Sequence, residues 1–194
     1  MSVNEPRHRL PDRLFHWSMA LLVFLLVGTG FLPIIGINFD WVPIHWISGT
    51  LLIIAVLFHL WRSFFVHKIG EMIPTLRDFH PDRIIAHEGP GKYSTSQKLY
   101  HAAVSTIILV LLFTGGLMLA KIDTTFWRRD PSILTDQQWG LVYVCHGAAA
   151  SLLLFFLILH IYFAFLPEHR KLLLAMTLGQ NEEKASEENE PKSS

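Results

Sequence analysis

Polar and apolar positions separate along this chain into four long apolar runs, Trp17–Ile35, Ile44–Val66, Tyr100–Ala120 and Gly140–Leu166, divided by polar stretches. Each approaches or exceeds the roughly 20 residues a helix needs to cross a bilayer. The last is interrupted by few polar groups, most of them histidine, serine or small residues. The pattern predicts an all-α integral membrane protein, a four-helix bundle in one domain over residues 1–180. Gly28, Gly30 and Pro33 are expected to end the first span, and Pro167 the fourth. Leu172–Leu178 reads as a short interfacial segment. Residues 181–194 are Glu-rich with almost no apolar side chains and are expected to be a disordered acidic tail. The loop Arg62–Lys98, with Pro74, Pro81 and Gly89-Pro90-Gly91, is long and charged and is expected to include short surface helices.

Composition changes this picture little. The chain is 51% hydrophobic, close to soluble proteins, so the clustering rather than the total makes the membrane assignment. Arg7, Arg9 and Arg13 precede the first run as they would a signal peptide. No small-x-small cleavage site follows and three more spans do, so the run is read as retained. Net formal charge is zero, which points to no partner by charge balance, and no nucleic-acid partner is expected. Lys and Arg number three before span 1, none between spans 1 and 2, six from Arg62 to Lys98, three between spans 3 and 4, and four after span 4. That bias, thirteen to three, places both termini and the middle loop in the cytoplasm. The single cysteine, Cys145, excludes an internal disulfide and a Cys-ligated iron–sulfur cluster within this chain.

The chemistry lies in the histidines. His146 and His160 are fourteen residues apart in the fourth span. At 1.5 Å per residue this is ~21 Å, and at about 100° per residue it is four turns less ~40°, so both leave one face near opposite sides of the bilayer. Intramembrane ionisable groups are costly and mark function, and neutral imidazole is an axial ligand for haem iron. His45 and His59 in the second span repeat the interval. Antiparallel helices put His45 level with His146 toward the outer face. Toward the cytoplasm His160 has two candidate partners, His16 and His59, and the matched spacing argues for His59. Gly49, four residues after His45, leaves room for a flat macrocycle or a close helix contact. Trp17 suits the interfacial aromatic belt. His101 reads as packing, and Trp127, Arg128 and Arg129 as contacts to a partner or to lipid headgroups. Two other readings stay open: a haem-free anchor whose histidines form a proton relay, and a two-helix cytochrome that pairs His59 with His160.

Asp12-Arg13-x-x-His16-Trp17, His45-x-x-x-Gly49, Gly91-Lys92-Tyr93 through Gln97-Lys98, and His146 to His160-Ile161-Tyr162, in this order and spacing, resemble the cytochrome b gamma subunit of membrane-bound formate dehydrogenase over about residues 7–180. The cytochrome b subunits of nickel–iron hydrogenase and thiosulfate or polysulfide reductase share the histidines. The resemblance implies two haems b, with His16/His160 ligating the inner iron and His45/His146 the outer. It implies electron transfer from an iron–sulfur subunit, fed by a molybdenum or tungsten catalytic subunit, to menaquinone or ubiquinone, with no substrate-oxidising site in this chain. The quinone contacts it implies are Ser94, Gln97 and His160. Ser94 and Ser96 depart from the family's Asn and Gly, and His59 does not occupy a ligand position.

Overall fold

A computed structural model describes residues 9–65 and 95–179. Four long helices, α1 (Leu10–Phe31), α2 (Trp41–Phe65), α3 (Thr95–Met118) and α4 (Asp136–Phe165), are followed by a short α5 (Arg170–Thr177). Single 3-10 turns lie at Leu119–Lys121, Pro131–Ile133 and Pro167–His169. No strand occurs among the described residues. The shortest of the four long helices, α1, has 22 residues, about 33 Å at 1.5 Å per residue, which spans a core of ~30 Å. Large apolar side chains face outward, Phe113 at 71% and Val144 at 68% exposed, whereas Thr29, Ser48 and Thr114 are buried. This inversion of the soluble pattern belongs in lipid, where the apolar surface costs nothing and helix contacts gather small and polar residues. The chain is a multi-pass membrane protein.

The helices start earlier than the apolar runs because their first turns are held by polar groups. In α4, the Thr135 N–H donates to Gln138 Oε1 (2.9 Å) and the Gln138 N–H to Thr135 Oγ1 (3.4 Å). This capping box satisfies two amide donors that the helix itself leaves unpaired. Gly28 and Gly30 lie inside α1 rather than ending it. The Leu32 N–H still donates to the Gly28 carbonyl at 2.9 Å, and the chain turns only beyond Phe31, where Gly36 takes a φ of 89° that a side chain disfavours. α4 stops at Phe165, two residues before Pro167, because proline clashes with a helical residue before it. Most of the middle loop, with Pro74, Pro81, Gly89–Gly91, Lys92, Tyr93 and Ser94, lies outside the described residues, as does the acidic tail 181–194.

The chain divides into two compact units. The first joins the two ends of the chain, with described residues 9–24 and 155–179. In it, Arg13 Nε donates to the Met176 carbonyl at 3.2 Å, Arg13 Nη2 donates to the Thr177 carbonyl, and Trp17 Nε1 donates to the Met176 carbonyl at 3.4 Å. Those carbonyls are in the last turn of α5, where no helical amide remains to pair them. A cation there also meets the negative end of the helix dipole. The interfacial segment expected at Leu172–Leu178 is thus a helix docked on the start of α1, with Ala175 only 1% exposed. Hydrogen bonds to a charged group are worth about 1.5–3 kcal/mol each. Arg13→Ala should free α5, read as faster amide exchange over 170–177 with exchange in α2 unchanged. Equal exchange in both proteins would deny the docking.

The second unit is the contiguous stretch 25–154. Its loop between α3 and α4 folds on its own helices. Trp127 Nε1 donates to the Leu119 carbonyl at 2.9 Å and its ring meets that of Trp46 edge-on at 5.7 Å. Trp127, expected to face a partner or headgroups, therefore packs within the chain. Asp130 caps the Pro131 turn, accepting from the Ser132 N–H (3.1 Å) and hydroxyl (2.5 Å). The side-chain bond first, then the backbone one, hold its carboxyl below the usual aspartate range. Trp139, in the first turn of α4, is buried, donates Nε1 to the Pro131 carbonyl at 2.8 Å and carries Lys121 Nζ 4.9 Å from its ring centre.

Candidate functional site

Each unit contains a facing pair of imidazoles. In the contiguous unit, His45, one turn into α2, meets His146, three turns into α4, with ring centroids 6.4 Å apart and planes at 68°. In the unit of the chain ends, His16 on α1 meets His160 near the end of α4, at 6.2 Å and 57°. Trp17 sets its ring edge-on against His16 at 5.4 Å. A metal–imidazole bond of about 2 Å and a ring radius of about 1.1 Å put two imidazoles trans across one metal roughly 6.3 Å apart, centroid to centroid. Both pairs have that span.

The surroundings of the His45/His146 pair are built to a common plan. His45 Nδ1 lies 2.7 Å from Thr29 Oγ1, and His146 Nδ1 lies 2.8 Å from Thr114 Oγ1. Each threonine is followed by a glycine. A Cβ on Gly115 would stand 3.3 Å from His146 Cε1, tighter than ordinary contact, and one on Gly30 would stand 3.8 Å from His45 Cε1. The missing side chain at Gly115 is thus what admits the His146 ring. Trp41 closes the other flank of His45, edge-on at 6.0 Å. Imidazoles anchored at Nδ1 and bordered by glycine fit an iron porphyrin, which they would hold through the other ring nitrogen.

Two features escape sequence reading. The first is the threonine pair. Its signal is the Thr-Gly dipeptide that occurs at Thr29-Gly30 and again at Thr114-Gly115, late in the helices that precede His45 and His146. The second is a third imidazole pair in the contiguous unit, His59 on α2 and His101 on α3, with centroids 6.5 Å apart. His101, read from sequence as packing, is thus the ring that His59 meets. Its span matches the others, so span alone does not select a ligand pair. Among the expected quinone contacts, Gln97 lies half-buried in the first turn of α3, one turn from His101, between the buried Thr95 and Lys98. His160 is in the terminal pair, and Ser94 lies outside the described residues.

Four membrane-length helices that hold facing imidazoles fit one class well: helical membrane proteins that carry electrons on a metal-centred group. The family of prokaryotic cytochrome b561 matches residues 7–179, and the chain belongs to it. It is a membrane cytochrome b that transfers electrons and binds b-type haem. It is also similar to the formate dehydrogenase cytochrome b556 subunit of Haemophilus influenzae, 26% identical over 183 residues that cover 82% of this chain and 70% of that one.

Proposed function

We propose that this chain is the membrane subunit of a formate-oxidising respiratory complex, and that it passes electrons through two haems b to a quinone. His45 and His146 hold the outer haem, His16 and His160 the inner. The observation that carries this reading is that His45 meets His146 and His16 meets His160, the pairs the family resemblance implies, each at a metal-bridging span. The likeness to a formate dehydrogenase subunit supports formate as the source of electrons. The basic bias toward the ends and the middle loop supports cytoplasmic termini in the inner membrane of a bacterium.

When bound, haem supplies a one-electron carrier at each imidazole pair. The chain's residues do the rest. They orient the imidazoles, exclude water with apolar helices, and present an outer surface to an iron–sulfur subunit that is itself served by a molybdenum or tungsten subunit. Menaquinone or ubiquinone accepts the electrons on the cytoplasmic side, with Gln97 among its contacts, and takes protons from the cytoplasm. Each charge moved across the membrane is worth about 2.3 kcal/mol per 100 mV, so the transfer conserves energy.

The test is haem stoichiometry by pyridine haemochrome on the purified full chain. Two haems b are expected, with one lost in His16→Ala and none in His59→Ala. Loss with His59→Ala in place of His16→Ala would move the inner site to His59. No haem in correctly inserted protein would end the electron-transfer reading and favour a histidine proton relay. Formate-dependent reduction of the haem bands in native membranes tests the partner, and hydrogen-dependent reduction in its place would assign the chain to a hydrogenase.

A further inference from the structure

Thr29 and Thr114 make the same set of contacts in two different helices. Thr29 Oγ1 lies 2.6 Å from the Leu25 carbonyl and 2.7 Å from His45 Nδ1. Thr114 Oγ1 lies 2.7 Å from the Val110 carbonyl and 2.8 Å from His146 Nδ1. A hydroxyl has one hydrogen, and a carbonyl oxygen only accepts. Two oxygens at 2.6–2.7 Å with no hydrogen between them would repel. Each threonine must therefore give its proton to the carbonyl one turn back, the usual bond of a helical threonine. What remains toward the imidazole is an acceptor lone pair. Nδ1 of both rings then carries the hydrogen, and Nε2 of both rings carries the free lone pair. Both threonines are only 5% exposed, so water does not compete for these bonds.

We propose that Thr29 and Thr114 are positioning residues that lock His45 and His146 as Nδ1–H tautomers and present both Nε2 lone pairs to one iron. This rests on the assignment of His45 and His146 to a haem made above. The bond does more than orient the ring. An imidazole that donates its far N–H becomes the more basic ligand. A more basic ligand favours the oxidised iron, so the two threonines together hold the outer haem at a lower potential than apolar neighbours would. Gly115 belongs to the same device, since its open Cβ position lets the His146 ring reach Thr114.

The experiment compares wild type, Thr29→Val, Thr29→Ser, Thr114→Val and Thr114→Ser as purified full chains. It counts haem by pyridine haemochrome, titrates the midpoint potentials and records the low-spin EPR signal of the oxidised protein. Valine matches threonine in shape and removes only the hydroxyl. Each valine variant should raise the potential of one haem, the same haem in both, shift its EPR signal and leave the other haem unchanged. Serine should restore both readouts. If a valine variant loses that haem altogether, haem retention in the serine variant of the same threonine, Thr29→Ser or Thr114→Ser, upholds the proposal and loss there overturns it. Two haems with unchanged potentials and EPR signals in both valine variants would overturn it while leaving the proposed function standing, as would valine variants that move different haems. A wild-type chain without haem would overturn the proposed function and this inference with it.

Discussion

His146→Ala and His45→Ala should each take the protein from two haems b to one, and the haem that remains should be the same in both, by potential and EPR signal. His16→Ala and His160→Ala should retain the complementary haem. The expectation follows from the ring pairs at 6.4 and 6.2 Å. Each pair would hold one haem iron between its two rings, so removal of either ring should defeat the same site. The fold should survive the loss. In His146→Ala the Thr114 hydroxyl still donates to the Val110 carbonyl at 2.7 Å, so no buried donor is left unpaired, which is the costly outcome. Helix content by circular dichroism should therefore match wild type while the Soret band falls by about half. Four alanine variants with four different residual spectra, or a His45→Ala protein that resembles His16→Ala, would show that the rings are paired otherwise.

Trp139→Ala should be the most destabilising single change around the loop between α3 and α4. The indole is 3% exposed, and truncating a buried tryptophan to alanine costs about 3–5 kcal/mol through lost transfer energy and the cavity left behind. Two further losses add to it. The Pro131 carbonyl gives up a donor at 2.8 Å, and Lys121 Nζ, which stands 4.9 Å from the Trp139 ring and 5.1 Å from that of Tyr143, gives up the nearer of two faces. Trp139→Phe keeps most of the packing and should cost only the unpaired carbonyl, about 1–3 kcal/mol. The check is thermal unfolding in detergent, with limited proteolysis of residues 122–135 as the local readout. Because His146 lies two turns beyond Trp139 on the same face of α4, the alanine variant should also bind less firmly the haem proposed at His45 and His146. An alanine variant as stable as wild type, with an equally resistant loop, would refute this account of the loop.

The spans were legible from the apolar runs because lipid demands length and apolarity and little else. Their starts were not. Asp12 and Arg13, Thr95 to Lys98, and Asp136 to Gln138 are polar, so a count of apolar residues passes over turns that hydrogen bonds hold in helix. Thr135 and Gln138 form a capping box that stands plainly in the sequence once capping rather than hydropathy is sought. The histidines announced themselves by their intervals, but an interval fixes only the face of its own helix. His59 and His45 repeat the spacing of His146 and His160, which suggested that two helices share two sites. The structure sets His59 against His101, a residue with no second histidine at that interval within its own helix, because which helix faces which is decided by packing across the unit. Thr29 and Thr114 were invisible for a related reason. A threonine in an apolar helix is unremarkable until the ring opposite it is known.

The division of the chain also has a consequence in time. The unit that holds His45 and His146 is one uninterrupted stretch, 25–154. The unit that holds His16 and His160 closes only when Arg13 finds the carbonyls of Met176 and Thr177, 163 and 164 residues later. At synthesis rates of about 5–20 residues per second, the start of the first helix waits on the order of 10–30 s for the residues that complete its surroundings. A ribosome making this protein therefore delivers one histidine pair whole while half of the other has yet to be translated.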